Sequence, residues 1–451
     1  MLFHISKTWN ARGLCTAAAT FLAAALTVIV VSRPAKAIEI ERVTTPLGIE
    51  VWLVEENTLP LIAMNFAFKG GAAQDPAETP GVANFLSGIL TEGAGDLDAE
   101  AFQTRLEELA VRMSFSASRD SFSGSLRTLS EQRDAAFEML ALALNSPRFD
   151  QDAIDRLRGQ VAASIRRDLT NPNAIAGRAW SETLFPEHPY GRPVKGTMES
   201  VANINADVLS AFQTRALSRQ NLVIGIVGDI SAEDLKPLID KTFGGLPEES
   251  GLQAVDQVVL PAEGFSKDIE QPLPQTIIQF GLPGLERDDP DFIPAFVLNH
   301  ILGGGSFTSR LWNAVREERG LAYSVYSYLN PMDHAALWVG GTATSTQQAE
   351  QALEIIKQEI ARIAENGPTE EELADTKRYL IGAFPLRFDT NSRIAQQLVG
   401  YQIDDLGIDY FNRRNGLVEA VTLDDVKRVA QRLFEKPDLF VVTVGQSTTG
   451  G

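Results

Sequence analysis

The sequence predicts an α+β fold of two homologous layered domains, each with an antiparallel-rich sheet and helices packed on one face. The main observation is an internal repeat: the strand-like run Leu59–Gly71 is matched by Leu273–Gly284, and the apolar run Asn221–Asp229 by Asp438–Gln446. Each early run leads through a turn rich in Gly, Asp and Pro into an amphipathic helix. A repeat of roughly 200 residues indicates a duplicated domain, since solenoid repeats are far shorter.

The chain divides where its composition changes. Residues 1–37 read as a signal peptide, and residues 38–247 as an N-terminal domain. Residues 248–271 are the least regular segment, with Gly, Pro and a run of charges, so we assign them to a linker. Residues 272–451 form the predicted C-terminal domain.

The leader has the parts of a cleaved signal peptide. Lys7 and Arg12 precede the apolar stretch Leu14–Val31, and Ala35-Lys36-Ala37 offers small residues for cleavage after Ala37. Export to the periplasm and no stable membrane span after cleavage are therefore expected. An uncleaved anchor is the alternative, because 18 apolar residues are just enough to cross a bilayer. The single cysteine, Cys15, lies in the leader, so no disulfide is expected after export.

The net charge of the chain limits the classes of partner that we expect. The chain has 59 acidic and 40 basic residues, a net charge of −19, and the leader contributes only basic residues. Such an acidic chain argues against nucleic acid and anionic lipid as partners. It suits basic peptides or a partner with a basic face, although the charge also serves solubility.

The predicted elements follow from their start signals. In the first half, Thr79 as N-cap and Pro80 as first helical residue predict a helix within Thr79–Gly93. The next elements are a helix over Ala99–Val111 capped by Asp98, a strand pair formed by MSFSAS and SFSGSLRTL, and helices from Ser130 and Asp150. In the second half, Thr369 with Glu372 and Thr422 with Asp425 predict capping boxes that open two helices.

The segment Gly303–Leu329 carries the predicted site. It reads GGGSFTSRLWNAVREERGLAYSVYSYL, a glycine-rich loop, a helix, a stop at Gly320 and a strand. Arg316 near the helix end and Tyr323 on the strand are placed to point into one cleft. The loop itself is either a tight connection or a ligand-gripping loop, and it consists of Gly303, Gly304, Gly305 and Ser306.

This segment closely resembles the second-half signature of the insulinase/pitrilysin-type peptidases, which include the mitochondrial processing peptidases and bacterial relatives. In that family the matching arginine and tyrosine hold the substrate backbone and stabilise the oxyanion across from a zinc. The resemblance implies these roles for Arg316 and Tyr323, in two domains that face each other as a clam-shell around a peptide-sized cavity. Without this resemblance, the simpler interpretation is that the arginine complements the helix dipole and that the tyrosine is a core residue.

The first half lacks the zinc set that the resemblance implies. The family's His-x-x-Glu-His motif places two imidazoles and a carboxylate on one helix face. Here those positions are Asn84, Ser87 and Gly88, and the third ligand falls near Ser164 or Ile165, in a run without acids. An amide, a hydroxyl and a glycine do not hold zinc against water, so no metal is expected in this chain.

The four histidines do not replace the missing site. His4 lies in the leader, and His188 sits beside two prolines, where loop packing is the simpler interpretation. His300 precedes the glycine loop as an expected buried, hydrogen-bonded residue, and His334 stands apart in the sequence. Four scattered histidines make no metal constellation.

The sequence therefore predicts a zinc-less subunit of a two-chain zinc metallopeptidase. A zinc-bearing homologous subunit is the expected partner in a heterodimer, zinc is expected only there, and a peptide is the expected substrate. The alternative is a non-catalytic scaffold or peptide-binding core protein of an envelope assembly. A self-sufficient hydrolase is disfavoured, because residues 38–451 contain no cysteine and no G-x-S-x-G motif.

Overall fold

Eleven strands form two sheets in the computed structural model, which describes residues 38–436 and 438–446. The predicted signal peptide, with His4 and Cys15, lies outside the described residues. The strands of the first sheet are β1 (Glu41–Thr44), β2 (Glu50–Glu55), β3 (Leu61–Lys69), β4 (Arg112–Ala117), β5 (Ser121–Leu129) and β6 (Leu222–Gly228). Those of the second are β7 (Phe265–Glu270), β8 (Gln275–Pro283), β9 (Ala322–Met332), β10 (Ala335–Ser345) and β11 (Phe440–Gly445).

The two sheets have the same topology, which confirms the α+β fold and explains the sequence repeat. The first has the order β1-β2-β6-β3-β5-β4 and the second β7-β11-β8-β10-β9. Apart from the extra β1, they match strand for strand. In each sheet a single pair is parallel, β2 with β6 and β7 with β11, and the other pairs are antiparallel.

Fifteen helices accompany the sheets within the described residues. In the first half they are α1 (Val82–Ile89), α2 (Ala99–Glu108), α3 (Arg133–Asn145), α4 (Gln151–Asp168), α5 (Pro172–Leu184), α6 (Met198–Ala202), α7 (Ala206–Ala216) and α8 (Ala232–Phe243). In the second half they are α9 (Phe292–Asn299), α10 (Arg310–Trp312), α11 (Ala349–Asn366), α12 (Glu370–Gly382), α13 (Asn391–Ile403), α14 (Tyr410–Ala420) and α15 (Leu423–Phe434).

Each half has its own core, and a third core joins them. One face of each sheet is covered by helices of the same half. The other face of the first sheet receives α13 from the second half, where Asn65 Nδ2 donates to Ser392 O at 3.2 Å and Gln402 Nε2 donates to Ile224 O at 3.0 Å. Reciprocally, α5 of the first half lies on β8 and β11, with Trp180 beside Phe440. The halves thus exchange one helix each, which fixes them against one another.

The predicted capping boxes of the second half are confirmed. Thr369 accepts from the Glu372 N–H at 3.1 Å and Glu372 accepts from the Thr369 N–H at 2.7 Å. Thr422 and Asp425 make the same reciprocal pair. In the first half, Asp98 caps α2 as expected, although that helix ends at Glu108.

The expected Thr79 cap is wrong. Helix α1 begins at Val82 after Gly81, whose φ is 100°. The cap is supplied from further upstream by Asp75, whose carboxylate accepts from the Gly81 N–H at 2.6 Å and the Ala83 N–H at 3.0 Å. Side-chain oxygens placed at a helix N-terminus satisfy N–H groups that have no partner within the helix. Within the predicted linker, Phe265–Glu270 forms β7 of the second sheet.

None of the described helices combines the length and apolar character that a membrane crossing requires.

Candidate functional site

The segment Gly303–Leu329 folds as a loop, a short helix and a strand, with two irregularities that sequence reasoning missed. A π-helical turn, His300–Gly304, follows α9 and runs into the glycine-rich loop. A second π-helical turn, Asn313–Glu317, follows α10, and Gly320 then reverses the chain with a φ of 61°. π-Turns recur at functional sites, where they re-aim a side chain.

The glycine-rich loop needs its glycines for close packing. A methyl group on Gly303 would lie 2.3 Å from Ser327 Oγ, and one on Gly305 would lie 2.7 Å from His300 O. This supports the tight-connection interpretation, and a role in gripping a ligand stays a prediction. At the loop's end, Phe307 is 71% exposed, and its ring meets that of Trp312 edge-on at 4.7 Å.

Arg316 lies in the second π-turn, held between two aromatic rings. Its Cζ is 4.1 Å from the ring centroid of Trp312 and 4.8 Å from that of Tyr323. Trp312 is buried and its Nε1 donates to Glu317 Oε1 at 3.1 Å, so it gives a fixed platform. Among the described residues the Arg316 guanidinium has no hydrogen bond and no ion pair. Its N–H donors are therefore free for a ligand.

Tyr323 lies on a β-bulge at the start of β9. Ser324 pairs with Ala343 and Ala322 with Thr344, so Tyr323 has no partner on β10. Although Val325 is only two residues further along the strand, it is 2% exposed in the core, whereas Tyr323 is 82% exposed. A bulge re-aims a side chain in this way. The Tyr323 hydroxyl makes no hydrogen bond to any described residue.

Arg316 and Tyr323 line one open depression of about 450 Å³. Every residue that lines it belongs to the second half, and none comes from the first half. The remaining lining residues are Gln275, Glu317, Gly320, Leu321, Ala322, Ala343, Thr344 and Ser345.

The corresponding corner of the first half lacks both irregularities. There α2 is a regular helix, and β4 pairs with β5 without a bulge. Ala110, with a φ of 52°, takes the place of Gly320. The Ala110 N–H donates to Glu107 O, and the Gly320 N–H donates to Arg316 O in the second half. Glu107 thus stands where the second half has Arg316. The duplicated fold does not itself require the arginine, the π-turn or the bulge.

The positions that correspond to the zinc motif hold no metal ligand. Ser87 Oγ donates to Asn84 O within its own helix at 2.7 Å. Gly88 faces Leu157 of α4, and a methyl group on it would lie 3.1 Å from both Leu157 Cδ atoms. An apolar side chain therefore fills the space beside the third position of the motif.

The ammonium group of Lys195 lies at the position where the third zinc ligand is expected. Ser164 Oγ accepts from Lys195 Nζ at 3.1 Å, and the same ammonium pairs with Asp168 at 2.6 Å. Ile165 is in the core. An ammonium group opposes a divalent cation, so the donor set does not fit zinc. No cluster of potential metal ligands occurs in the described part of the chain.

The histidines have structural partners. His188 Nδ1 accepts from the Tyr190 N–H at 3.1 Å and its Nε2 lies 2.9 Å from Asp256 O, as expected for loop packing. Burial lowers the pKa of His188. His334 is not solitary in space, because its ring lies 6.1 Å from that of His188 at the joint between the halves. His300 is buried as expected, which lowers its pKa to about 4, and its ring packs against Tyr379. The expected hydrogen bond is not found, because the imidazole has no hydrogen-bond partner among the described residues.

Comparison with known proteins agrees with this geometry. Residues 51–198 match the family model of insulinase (peptidase family M16), and residues 203–380 match that of the peptidase M16 inactive domain. The crystal structure of a peptidase M16 inactive domain from Pseudomonas fluorescens is similar with a TM-score of 0.86 and 30% sequence identity. That similarity covers 91% of this chain and 99% of the other.

Two curated relatives are similar over most of their length. The non-peptidase homolog YmxG of Helicobacter pylori is 28% identical over 393 residues, which is 85% of this chain and 89% of the relative. The uncharacterized zinc protease YmxG of Bacillus subtilis is 26% identical over 403 residues, 88% of this chain and 96% of the relative. The chain belongs to the insulinase family, peptidase family M16, and has Asn84, Ser87 and Gly88 at the positions of the family's zinc motif.

Proposed function

We propose that this chain is the zinc-less subunit of a two-chain zinc metallopeptidase. It would supply Arg316 and Tyr323 to a peptide bound by a zinc-bearing homologous subunit. One observation carries the proposal: the half-buried Arg316 and the exposed Tyr323 lie side by side with no hydrogen-bond partner among the described residues, while the zinc positions of the same chain hold no ligand.

The donors suit an extended peptide and a developing oxyanion. A guanidinium offers five N–H donors in a planar fork and a phenol offers one O–H. Trp312 and Tyr323 hold the guanidinium plane before any ligand arrives, so little reorganisation is needed. Each pre-positioned donor is worth on the order of 3 kcal/mol in the transition state.

A second chain would complete the site. The depression around Arg316 is open to solvent, and its walls come from one half of the chain. Hydrogen bonds to an oxyanion gain strength when water is excluded. A homologous subunit placed over the depression would supply both the zinc and the missing wall.

The first test is reconstitution. The full chain carrying an affinity tag is purified from the native envelope, and any bound chain is identified by mass spectrometry. We expect a chain of similar length with a His-x-x-Glu-His motif, and peptide cleavage only when both chains are present. A mixture that cleaves no faster than the partner alone would refute the proposal.

The second test separates the two donors from general surface effects. Arg316→Ala and Tyr323→Phe should each reduce turnover of the mixture by about 10²-fold while assembly stays intact. Matched controls are Arg378→Ala, an exposed arginine on α12, and Tyr328→Phe, an exposed tyrosine on the same strand. If the test and control variants have equal kinetics, Arg316 and Tyr323 have only a structural role.

We also propose that the chain acts in the periplasm after export by its leader. Cell fractionation and N-terminal sequencing of the purified chain test this directly. We expect a periplasmic fraction whose first residue follows Ala37. A chain that retains residues 1–37 in the membrane fraction would contradict it.

A scaffold role is the second candidate, favoured by the face of β9. Tyr326 and Tyr328 are exposed, and their rings stack at 6.2 Å with an interplanar angle of 16°. Exposed tyrosines are common at protein interfaces. If the co-purified chain lacks the zinc motif and binding is lost in Tyr326→Ser but not in Arg316→Ala, the scaffold role replaces the subunit role.

A further inference from the structure

Two arginines face each other without compensation on the first sheet. Arg112 of β4 and Arg127 of β5 are direct cross-strand partners, and both are exposed. Like charges directly opposite one another destabilise a strand pair. Neither guanidinium has a hydrogen bond or an ion pair with a described residue, although the chain as a whole has 59 acidic and 40 basic residues.

The arginine pair lines a groove of about 400 Å³ whose other walls combine polar and apolar side chains. In the next row of the sheet, Asn65, Ser125 and Ser114 stand side by side across β3, β5 and β4. The two serine hydroxyls are 2.8 Å apart. The groove also includes Met64, Met113, Leu126 and three residues from the first two turns of α13, Ser392, Arg393 and Gln396.

No carboxylate lines this groove. Asp389 pairs with Arg393 at 2.6 Å, outside the lining. Glu107 lines the neighbouring depression together with Arg112 and Arg127, but it makes no ion pair with either. The polar lining therefore consists of three guanidinium groups, hydroxyls and amides.

The second half shows that the fold does not require the arginine pair. Strands β5 and β10 occupy equivalent places, and their pairings to β3 and β8 put Arg127 in the position of Ala343. The partner of Ala343 on β9 is Ser324, which takes the place of Arg112. The same corner of the same fold is thus built from two small residues. The repulsion between the two arginines lowers the stability of the fold unless a ligand of opposite charge binds them.

We propose that this groove is an oxyanion site that binds the phosphoryl or carboxylate group of a small-molecule ligand. Cross-strand partners have Cβ atoms roughly 4.5–5.5 Å apart, so both guanidiniums can reach one oxyanion. Ser114 and Ser125 can donate from the next row, and the N-terminus of the 13-residue α13 adds a favourable partial charge. The volume is in the range of small-ligand pockets. This site lies between the first sheet and α13 and is independent of the proposed role of Arg316.

The test uses the purified full chain with two probes, inorganic phosphate and succinate, titrated calorimetrically at an ionic strength kept constant with sodium chloride. We expect saturable binding of at least one probe, with a rise in the thermal unfolding midpoint. Binding of phosphate alone assigns a phosphoryl ligand, binding of succinate alone assigns a carboxylate ligand, and binding of both assigns a general oxyanion site.

Variants connect the binding to the groove. Arg112→Gln and Arg127→Gln should each weaken binding by about tenfold or more, because each removes a charge-assisted contact. The control Arg105→Gln removes the same charge from an exposed position on α2, outside the groove, and should bind as the original chain does. Circular dichroism checks that all three fold. No saturable binding of either probe, or equal affinity in all variants, would overturn the proposal.

Discussion

Gly124→Ala probes the packing of the first core directly. Gly124 of β5 is the cross-strand partner of Phe66 of β3, whose side chain is 1% exposed. A methyl group on Gly124 would lie 2.1 Å from Phe66 Cζ and 2.7 Å from both Cε atoms. The Phe66 ring cannot retreat easily, because the rings of Phe115 and Phe243 lie at centroid distances of 6.2 and 5.3 Å.

The magnitude follows from these distances. Carbon atoms pack best at about 3.5–4.0 Å, so the methyl and the ring must separate by roughly 1.4 Å or more. Overpacking of this kind costs about 1–3 kcal/mol, and the rigid surroundings of Phe66 place Gly124→Ala at the upper end. The same construction recurs in the second half. A methyl group on Gly340 would lie 2.3 Å from Phe280 Cζ, so Gly340→Ala should cost a similar amount.

The assay is urea unfolding of the full chain followed by far-UV circular dichroism. Gly159→Ala is the control, because Gly159 lies in α4 with nothing within 4 Å and alanine favours helix by up to about 1 kcal/mol. Phe66→Leu added to Gly124→Ala should recover part of the loss. If Gly124→Ala unfolds at the same urea concentration as the original chain or a higher one, the proposed packing is wrong.

Three further predictions concern charges and caps. Burial raises the pKa of Asp75 to about 7, well above its unfolded value. The folded state then holds a proton that the unfolded state has released, so stability relative to Asp75→Asn should fall by a few kcal/mol between pH 4 and 7, as urea unfolding at several pH values will show. Thr422→Ala should destabilise α15 by about 1 kcal/mol. The Thr422 hydroxyl lowers the pKa of Asp425 to about 2. NMR titration of the Thr422→Ala variant should therefore show a higher pKa for Asp425. Without ligand, Arg127→Gln should stabilise the fold by about 0.2–1 kcal/mol, because its repulsion with Arg112 is removed, measured by the same unfolding assay.

Local signals in the sequence predicted local structure well. The capping boxes at Thr369 and Thr422 depend on residues three apart, so their geometry can be read from the chain. The repeat was visible because β3 and β8 are both largely apolar strands, and they hold the same place in their sheets. The Thr79 cap was mispredicted because Asp75, several residues upstream, binds the same N–H groups.

Long-range structure could not be predicted in this way, because it depends on contacts between residues that are far apart in the sequence. The amphipathic patterns of α5 and α13 indicate which residues face a core, but not that each helix lies on the sheet of the other half. The π-turn at Arg316 and the bulge at Tyr323 arise from tertiary packing that no pattern of apolar residues encodes. A signal did exist for the Trp312 platform, since an aromatic residue four positions before an arginine on a helix lies on the same face.

The two halves diverge at one equivalent corner, and this divergence separates function from fold. In the second half, a π-turn and a bulge carry Arg316 and Tyr323 where the first half has a regular helix and a regular strand pair. In the first half, Arg112 and Arg127 oppose each other where the second half has small residues. Each half therefore serves as the control for the other. A feature that one copy of the fold does without is not needed for folding, and the opposed arginines also reduce stability. These features therefore agree with the two ligands proposed above, a peptide at one corner and an oxyanion at the other.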